Sequence, residues 1–183
     1  GADPCYITLS PDQKNIIVAN YTGGSISQFY RMADGSISPL RQLIQHKGYS
    51  IIPSRQSSAH VHGTFFSPDG HYILTPDLGM DEINIYPFDK RLTPPIQESK
   101  ATIIKSTEGA GPRHLCFSKD SRFLYVMEEL SGSIAVYTFN KGKATFLQRV
   151  FTHNADYKKQ NGSADIHLSP NGKYLYASNR AYE

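Results

Sequence analysis

Thr64-Phe65-Phe66-Ser67-Pro68-Asp69-Gly70-His71-Tyr72-Ile73-Leu74 reads as two apolar strands joined by a tight turn. Proline presets the first turn angle, and aspartate and glycine complete the reversal, so the stretch predicts a β-hairpin. Three related turns stand elsewhere: Ser10-Pro11-Asp12, Ser118-Lys119-Asp120 and Ser169-Pro170-Asn171-Gly172. Their serines, with Ser67, are spaced 57, 51 and 51 residues apart. Each turn follows a short apolar run, as in Leu115-Cys116-Phe117, and precedes another, at 15–19, 72–74, 123–127 and 174–177. Ten residues after each serine stands a polar group: Asn20, Asp77, Glu128 and Asn179. Sixteen after it, in three copies, stands an isoleucine: Ile26, Ile83 and Ile134. Each opens an alternating stretch such as Ile83-Asn84-Ile85-Tyr86, the period of a third strand. In the fourth copy that position would fall just past Glu183.

Repeats of about fifty residues with several strands each are the pattern of a β-propeller, one repeat per blade. The expected fold is all-β: one partial propeller domain over 1–183 with four-stranded antiparallel blades near 1–50, 58–105 and 109–155, and a part-blade at 160–183. A β-sandwich with coincidental turns is the alternative, and the constancy of the offsets argues against it. About three and a half blades cannot close a ring and leave sheet edges open. The chain is therefore expected to be a fragment, or to be completed by another segment or by a partner through its open blade edges.

Composition agrees. Gly and Pro supply 25 of 183 residues and Tyr and Phe 21, which favours short strands and many turns over long helices. Hydrophobic residues at 39% and charged residues at 19% exclude a disordered tail. No run approaches the ~18 apolar residues of a membrane helix, so no membrane association is expected. A net charge of +3 suits an anionic small molecule and is too weak and dispersed for nucleic acid. Lys158-Lys159, the densest basic pair, reads as a solvated loop. Cys5 and Cys116 fit no metal-ligand spacing, and Cys116 reads as a small buried hydrophobe. No leader is visible at Gly1-Ala2-Asp3-Pro4.

Blades set around an axis bring equivalent positions to equivalent places near its channel. Five residues before each turn serine lie Cys5, His62, Arg113 and Ala164; eleven after it lie Tyr21, Leu78, Glu129 and Arg180. A hairpin brings its two outer ends together, so Arg113 and Glu129 are expected to be neighbours, at the ~5 Å of directly opposed strand residues. His62 and Arg180 occupy matching ends of the adjacent hairpins. One imidazole, one carboxylate and two guanidinium groups thus converge on one rim, a pattern that marks a binding or catalytic site. A structural Arg113–Glu129 ion pair and a hydrogen-bonded strand histidine are the plainer alternatives. His60 and His62 share a strand face, but no third ligand completes a metal site. Asp77-Leu78-Gly79-Met80-Asp81 is too short for a calcium loop and reads as a tight connection. Gly109-Ala110-Gly111-Pro112-Arg113-His114 lacks the ending of a phosphate loop and leads into a strand; its glycines let the chain turn tightly into the inner strand.

Gly109-Ala110-Gly111-Pro112-Arg113-His114 followed by Met127-Glu128-Glu129-Leu130 resembles the central signature of the seven-bladed lactonase propeller family. Ala19-Asn20-Tyr21, His62 with Ser67-Pro68-Asp69-Gly70, Asp77-Leu78-Gly79, Ser163-Ala164-Asp165-Ile166 and Ser178-Asn179-Arg180 match it in order. The family holds the propeller-type 6-phosphogluconolactonases and the 3-carboxy-cis,cis-muconate lactonizing enzymes, and its members are about twice this length. The resemblance implies a lactone hydrolase of the 6-phosphogluconolactonase type, acting in the pentose phosphate pathway, with catalytic positions His62, Arg113, Glu129 and Arg180. It also implies a small anionic sugar-lactone substrate, contacted by Arg113, Arg180, His60 and Asn20. No metal or organic cofactor is implied. The implied setting is cytoplasmic, or periplasmic if a leader precedes the chain. Where the family often has Pro-His, this chain has Val61-His62 and a second histidine, His60. Arginines bind carboxylate or phosphate in two-pronged fashion. An adjacent Arg113 makes Glu129 the weaker base, which favours His62 for taking the proton of water. A cycloisomerase using the same groups on a muconate, and a non-catalytic binding propeller, are the other readings.

Overall fold

The computed structural model describes residues 1–154, 156–157 and 161–180. Lys158 and Lys159 lie outside the described residues. Among the described residues, fourteen strands form four antiparallel sheets. The first holds β1 (Pro4–Leu9), β2 (Asn15–Asn20), β3 (Ser25–Tyr30) and β4 (Gln42–Gln45), paired in chain order. The second holds β5 (Phe65–Phe66), β6 (Tyr72–Asp77), β7 (Glu82–Pro87) and β8 (Thr102–Lys105). The third holds β9 (Pro112–Phe117), β10 (Phe123–Glu128), β11 (Ser133–Asn140) and β12 (Lys143–Phe151). β13 (Ser163–Leu168) and β14 (Leu175–Asn179) make a two-stranded fourth. Helix is confined, among the described residues, to one turn of α1 (Pro53–Gln56) and a 3₁₀ turn at Glu98–Lys100. These are successive propeller blades, as the repeat implies.

The repeated turns explain why each hairpin forms. In all four, the serine hydroxyl donates to the side chain two residues on, at Asp12, Asp69, Asp120 or Asn171, over 2.5–2.7 Å. The same hydroxyl accepts the backbone N–H five residues on, over 2.9–3.0 Å. The residue three after the serine takes a left-handed conformation in every copy: Gln13 (φ 58), Gly70 (φ 72), Ser121 (φ 62) and Gly172 (φ 73). Backbone and side chain close one shared turn, and the next strand starts in fixed register.

Between the sheets lie two apolar layers. One joins Ile17, Ala19, Ile26 and Ile44 of the first blade to Ile73, Tyr86 and Phe88 of the second. The other joins Leu74, Ile83 and Ile85 of the second to Leu115, Leu124, Val126 and Tyr137 of the third. Consecutive residues Ile73 and Leu74 therefore serve opposite layers, as the two-residue period of a strand demands. The second blade is covered on both faces, which is why β6 and β7 are buried almost throughout.

Candidate active site

One irregularity recurs at the same place in every blade. The residue six before each turn serine pairs with the residue ten after it: Pro4↔Asn20, Val61↔Asp77, Pro112↔Glu128 and Ser163↔Asn179. In the first and third blades regular pairing resumes at Tyr6↔Ala19 and His114↔Met127, so Cys5 and Arg113 oppose no residue. His62 stands at the matching place, its N–H on the Pro76 carbonyl at 3.0 Å. The fourth blade shifts across Ala164–Asp165. A bulge at a strand's inner end turns one side chain out of the alternation. Across from it, the residue just past the second strand donates its N–H back to the first: Glu129 to Gly111 at 2.7 Å and Arg180 to Gly162 at 3.1 Å. Arg113 and Glu129 do touch, but through this bulge and not as a directly opposed pair.

Glu129 is the centre of the site, its side chain only 4% exposed. Arg113 Nε lies 2.8 Å from Oε2, in an ion pair without hydrogen-bond alignment, which leaves Oε2 without a hydrogen bond. Arg55 donates to Oε1 over 2.7 Å, and Arg180 approaches Oε1 at 3.3 Å. His62 Nε2 stands 4.0 Å from Oε2. Three guanidinium groups thus face one carboxylate, a surplus of positive charge at the inner end of the blades. Arg113 also donates to the Ala164 carbonyl, bridging the third and fourth blades. Burial, with the Arg113 charge beside it, pushes the His62 imidazole down to about 4, so it is neutral at physiological pH. Burial likewise lowers Arg113, and the guanidinium remains charged. At Arg55, hydrogen bonds to Glu129 and Tyr21 outweigh burial and raise it.

The structure brings His62, Arg113, Glu129 and Arg180 together. His60 and Asn20 are placed differently. The His60 ring stacks on Tyr21 at 4.5 Å, its Nδ1 is 3.1 Å from the Tyr21 carbonyl, and it is His62 that reaches Glu129. Asn20 is buried and donates only within its own blade, to Ser25 and Ser27. It belongs with the other residues ten after each serine, all of which brace the fold. Asp77 holds His46 at 2.8 Å, Glu128 holds Arg149 at 2.7 and 2.9 Å, and Asn179 holds Thr152. A polar residue at a strand's buried end must find partners inside the protein, and these do.

Sequence reasoning missed Arg55. It comes from α1, in the connection between the first and second blades, and among the described residues no other connection forms an α-helical turn. Pro53 at the first helical position hinted at a helix start, but nothing in the pattern aims Arg55 at an axis residue 74 positions away. Gln56 fixes that turn by donating to the Leu78 carbonyl at 2.8 Å. The Gly109–Gly111 loop is held from below by Asp81, whose carboxylate accepts Gly109 N–H at 2.6 Å and Gly111 N–H at 2.7 Å. A Cβ on Gly111, whose φ is 65°, would stand 2.6 Å from Leu130 Cγ. Glycine is therefore required one turn before Arg113. Among the described residues no group of histidine, cysteine and carboxylate side chains is arranged to hold a metal ion.

The sequence profile described as "Lactonase, 7-bladed beta-propeller" matches residues 1–183. The chain belongs to the seven-bladed β-propeller lactonase family. Among family relatives, a Formosa agariphila protein named 6-phosphogluconolactonase is 36% identical over 182 residues, 98% of this chain and 51% of the relative. The 6-phosphogluconolactonase of Bacillus subtilis is 29% identical over 186 residues, again covering 51% of that protein. The solved structure of the periplasmic gluconolactonase PpgL from Pseudomonas aeruginosa superposes with a TM-score of 0.91 at 37% identity, over 98% of this chain and 51% of PpgL. The chain spans about half the length of these relatives. Among the described residues no helix is long and apolar enough to cross a membrane.

Proposed function

We propose that the protein hydrolyses a sugar δ-lactone bearing an anionic group, with 6-phosphogluconolactone as substrate and 6-phosphogluconate as product, in the pentose phosphate pathway. The observation that carries this reading is the buried Glu129 facing three arginines beside a neutral imidazole. Ester hydrolysis needs a base for water, donors for the oxyanion and cationic contacts for an anionic substrate. His62 Nε2 takes a proton from water as the water oxygen attacks the lactone carbonyl carbon. Guanidinium N–H groups of Arg113 and Arg180 stabilise the oxyanion, and the surplus positive charge binds the phosphate. The ring oxygen leaves as the tetrahedral intermediate collapses, and His62 returns the proton to it. Glu129 holds the arginines in place. The proposed setting is the cytoplasm.

The test is titration of the full-length protein at constant pH on 6-phosphogluconolactone, gluconolactone and 3-carboxy-cis,cis-muconate, in which lactone hydrolysis releases a proton and lactonisation of the muconate takes one up. The expected result is turnover of the phosphorylated lactone, with Arg113→Ala losing more activity than Arg113→Lys because lysine keeps only the charge. Turnover of the muconate alone would replace hydrolysis by cycloisomerisation. No turnover of any of the three would leave the site as a binding rim.

A further inference from the structure

Two buried imidazole nitrogens have no hydrogen-bond partner, Nδ1 of His62 and Nε2 of His114. Each side chain is only 12% exposed. The two rings meet edge to face, with centroids 5.4 Å apart and planes at 77°. At that separation a nitrogen of one ring comes within hydrogen-bond range of a nitrogen of the other once the two are turned to face. A buried polar group left unpaired is costly, so pairing the two is favoured. Of the remaining neighbours of the His62 ring, Tyr21 meets it edge-on at 5.2 Å, Arg113 donates only and Glu129 lies on the Nε2 side, which leaves the residue's own backbone carbonyl as the competing acceptor.

The other nitrogen of His114 decides which way the proton lies. His114 Nδ1 is 2.8 Å from Asp165 Oδ1, and the second Asp165 oxygen is 2.8 Å from His167 Nε2. Burial works against the charge on Asp165, but hydrogen bonds from His114 and His167 outweigh it and hold the carboxyl down at about 2. Asp165 is therefore an acceptor, His114 Nδ1 carries the hydrogen, and His114 Nε2 is a lone pair. Tyr6 and Phe65 pack edge-on against the His114 ring at 5.0 and 5.9 Å.

We infer that Asp165 and His114 are positioning residues for His62: Asp165 fixes the His114 tautomer, and His114 Nε2 accepts Nδ1–H of His62, leaving His62 Nε2 as the lone pair facing the cluster of Glu129 and arginines. The catalytic meaning of this arrangement rests on the hydrolytic reading above; the tautomer does not. When water attacks the lactone, His62 Nε2 takes its proton and the ring becomes an imidazolium. Its Nδ1–H stays on His114, the His114 Nδ1–H stays on Asp165, and the Nε2 proton passes to the departing ring oxygen. The carboxylate at the far end offsets a charge that Arg113 opposes, so the chain acts on the transition state more than on substrate binding.

Side-chain nitrogen NMR on the histidine-labelled full-length protein near neutral pH reads the tautomer directly. The expected result is His62 carrying hydrogen on Nδ1, changing to Nε2–H or a mixture in His114→Phe, which keeps a ring against Tyr6 and Phe65. Asp165→Ala, at a half-exposed side chain, carries the same test should His114→Phe fold poorly. On 6-phosphogluconolactone, His114→Phe should lower kcat by about tenfold or more with KM within about twofold, and Asp165→Ala should add nothing in that background. Hydrogen on Nε2 of His62 in the parent, or a tautomer indifferent to both variants, overturns the inference. So does an Asp165→Ala effect of equal size with and without His114. A parent without lactone turnover whose tautomers respond as described sinks the hydrolytic reading and leaves the positioning inference standing.

Discussion

Glu129 is almost wholly buried yet shares its carboxylate among three guanidiniums, so its charge and theirs are interdependent. Removing one member of a buried ion pair strands the other, at about 3–5 kcal/mol. Glu129→Gln should therefore destabilise the full-length protein by about 3 kcal/mol. Arg180→Ala, whose side chain is 56% exposed, should cost under about 1 kcal/mol. Denaturant midpoints of the two variants check the contrast. His62 supplies a second prediction. Its folded value near 4 lies below the ordinary 6.5, so only at acid pH does the proposed base lose its neutral form. The kcat/KM profile should stay level from neutrality to about pH 5 and fall by half near pH 4. Stability follows the same sign. The unfolded chain takes up this proton near 6.5 and the folded one only near 4, so stability is lost as pH falls through that window. An acid limb centred near 6.5 would contradict the burial argument.

The turns show how much of an element is readable in advance. Serine and its partner two residues on are side-chain chemistry at fixed offsets, and the sequence displays them; the left-handed residue three on is displayed only where it is glycine, at Gly70 and Gly172, and not at Gln13 or Ser121. Gly70 takes the left-handed place without strain, whereas a Cβ there would meet Pro11 Cγ at 2.9 Å. Gly70→Ala should therefore cost about 1 kcal/mol or more. Ser121, at φ 62° in the same place, already carries that strain, so Ser121→Gly should be neutral or stabilising by about 0.5 kcal/mol. Thermal unfolding of both variants tests the pair, and equal signs would refute the shared geometry. The bulges were not readable. A bulge changes which residues oppose one another without altering the spacing along either strand. The offsets therefore located Arg113 and Glu129 while misjudging how they meet. Arg55 was hidden for another reason: it lies in a connection between blades, outside the repeated hairpins, so their offsets could not register it. Asn20 donates within its own blade, and a buried polar residue beside a site reads the same in sequence whether it braces or binds.

At the scale of the molecule, stability comes from layers between blades. Ile73 and Leu74, adjacent in sequence, each join a different pair of sheets. The outward faces of the end blades are bare by comparison. Ile7 is 63% exposed on the first blade, and Tyr174 and Tyr176 are 61% and 62% exposed on the fourth. On β1 the neighbouring Tyr6 packs inward against the first layer, so Ile7 stands on the opposite face of the same strand. A ring of seven blades gives every blade two neighbours, and that face then becomes an interior one. Ile7 should behave in the full-length protein as a core residue despite its exposure here. Ile7→Ala should destabilise by about 2 kcal/mol, the scale of a buried aliphatic side chain, and not the ~0.5 kcal/mol or less of a surface site. Urea unfolding of the full-length parent and variant separates these outcomes. A change below about 0.5 kcal/mol would mean that no further blade packs on this face, and that the seven-bladed ring does not close here.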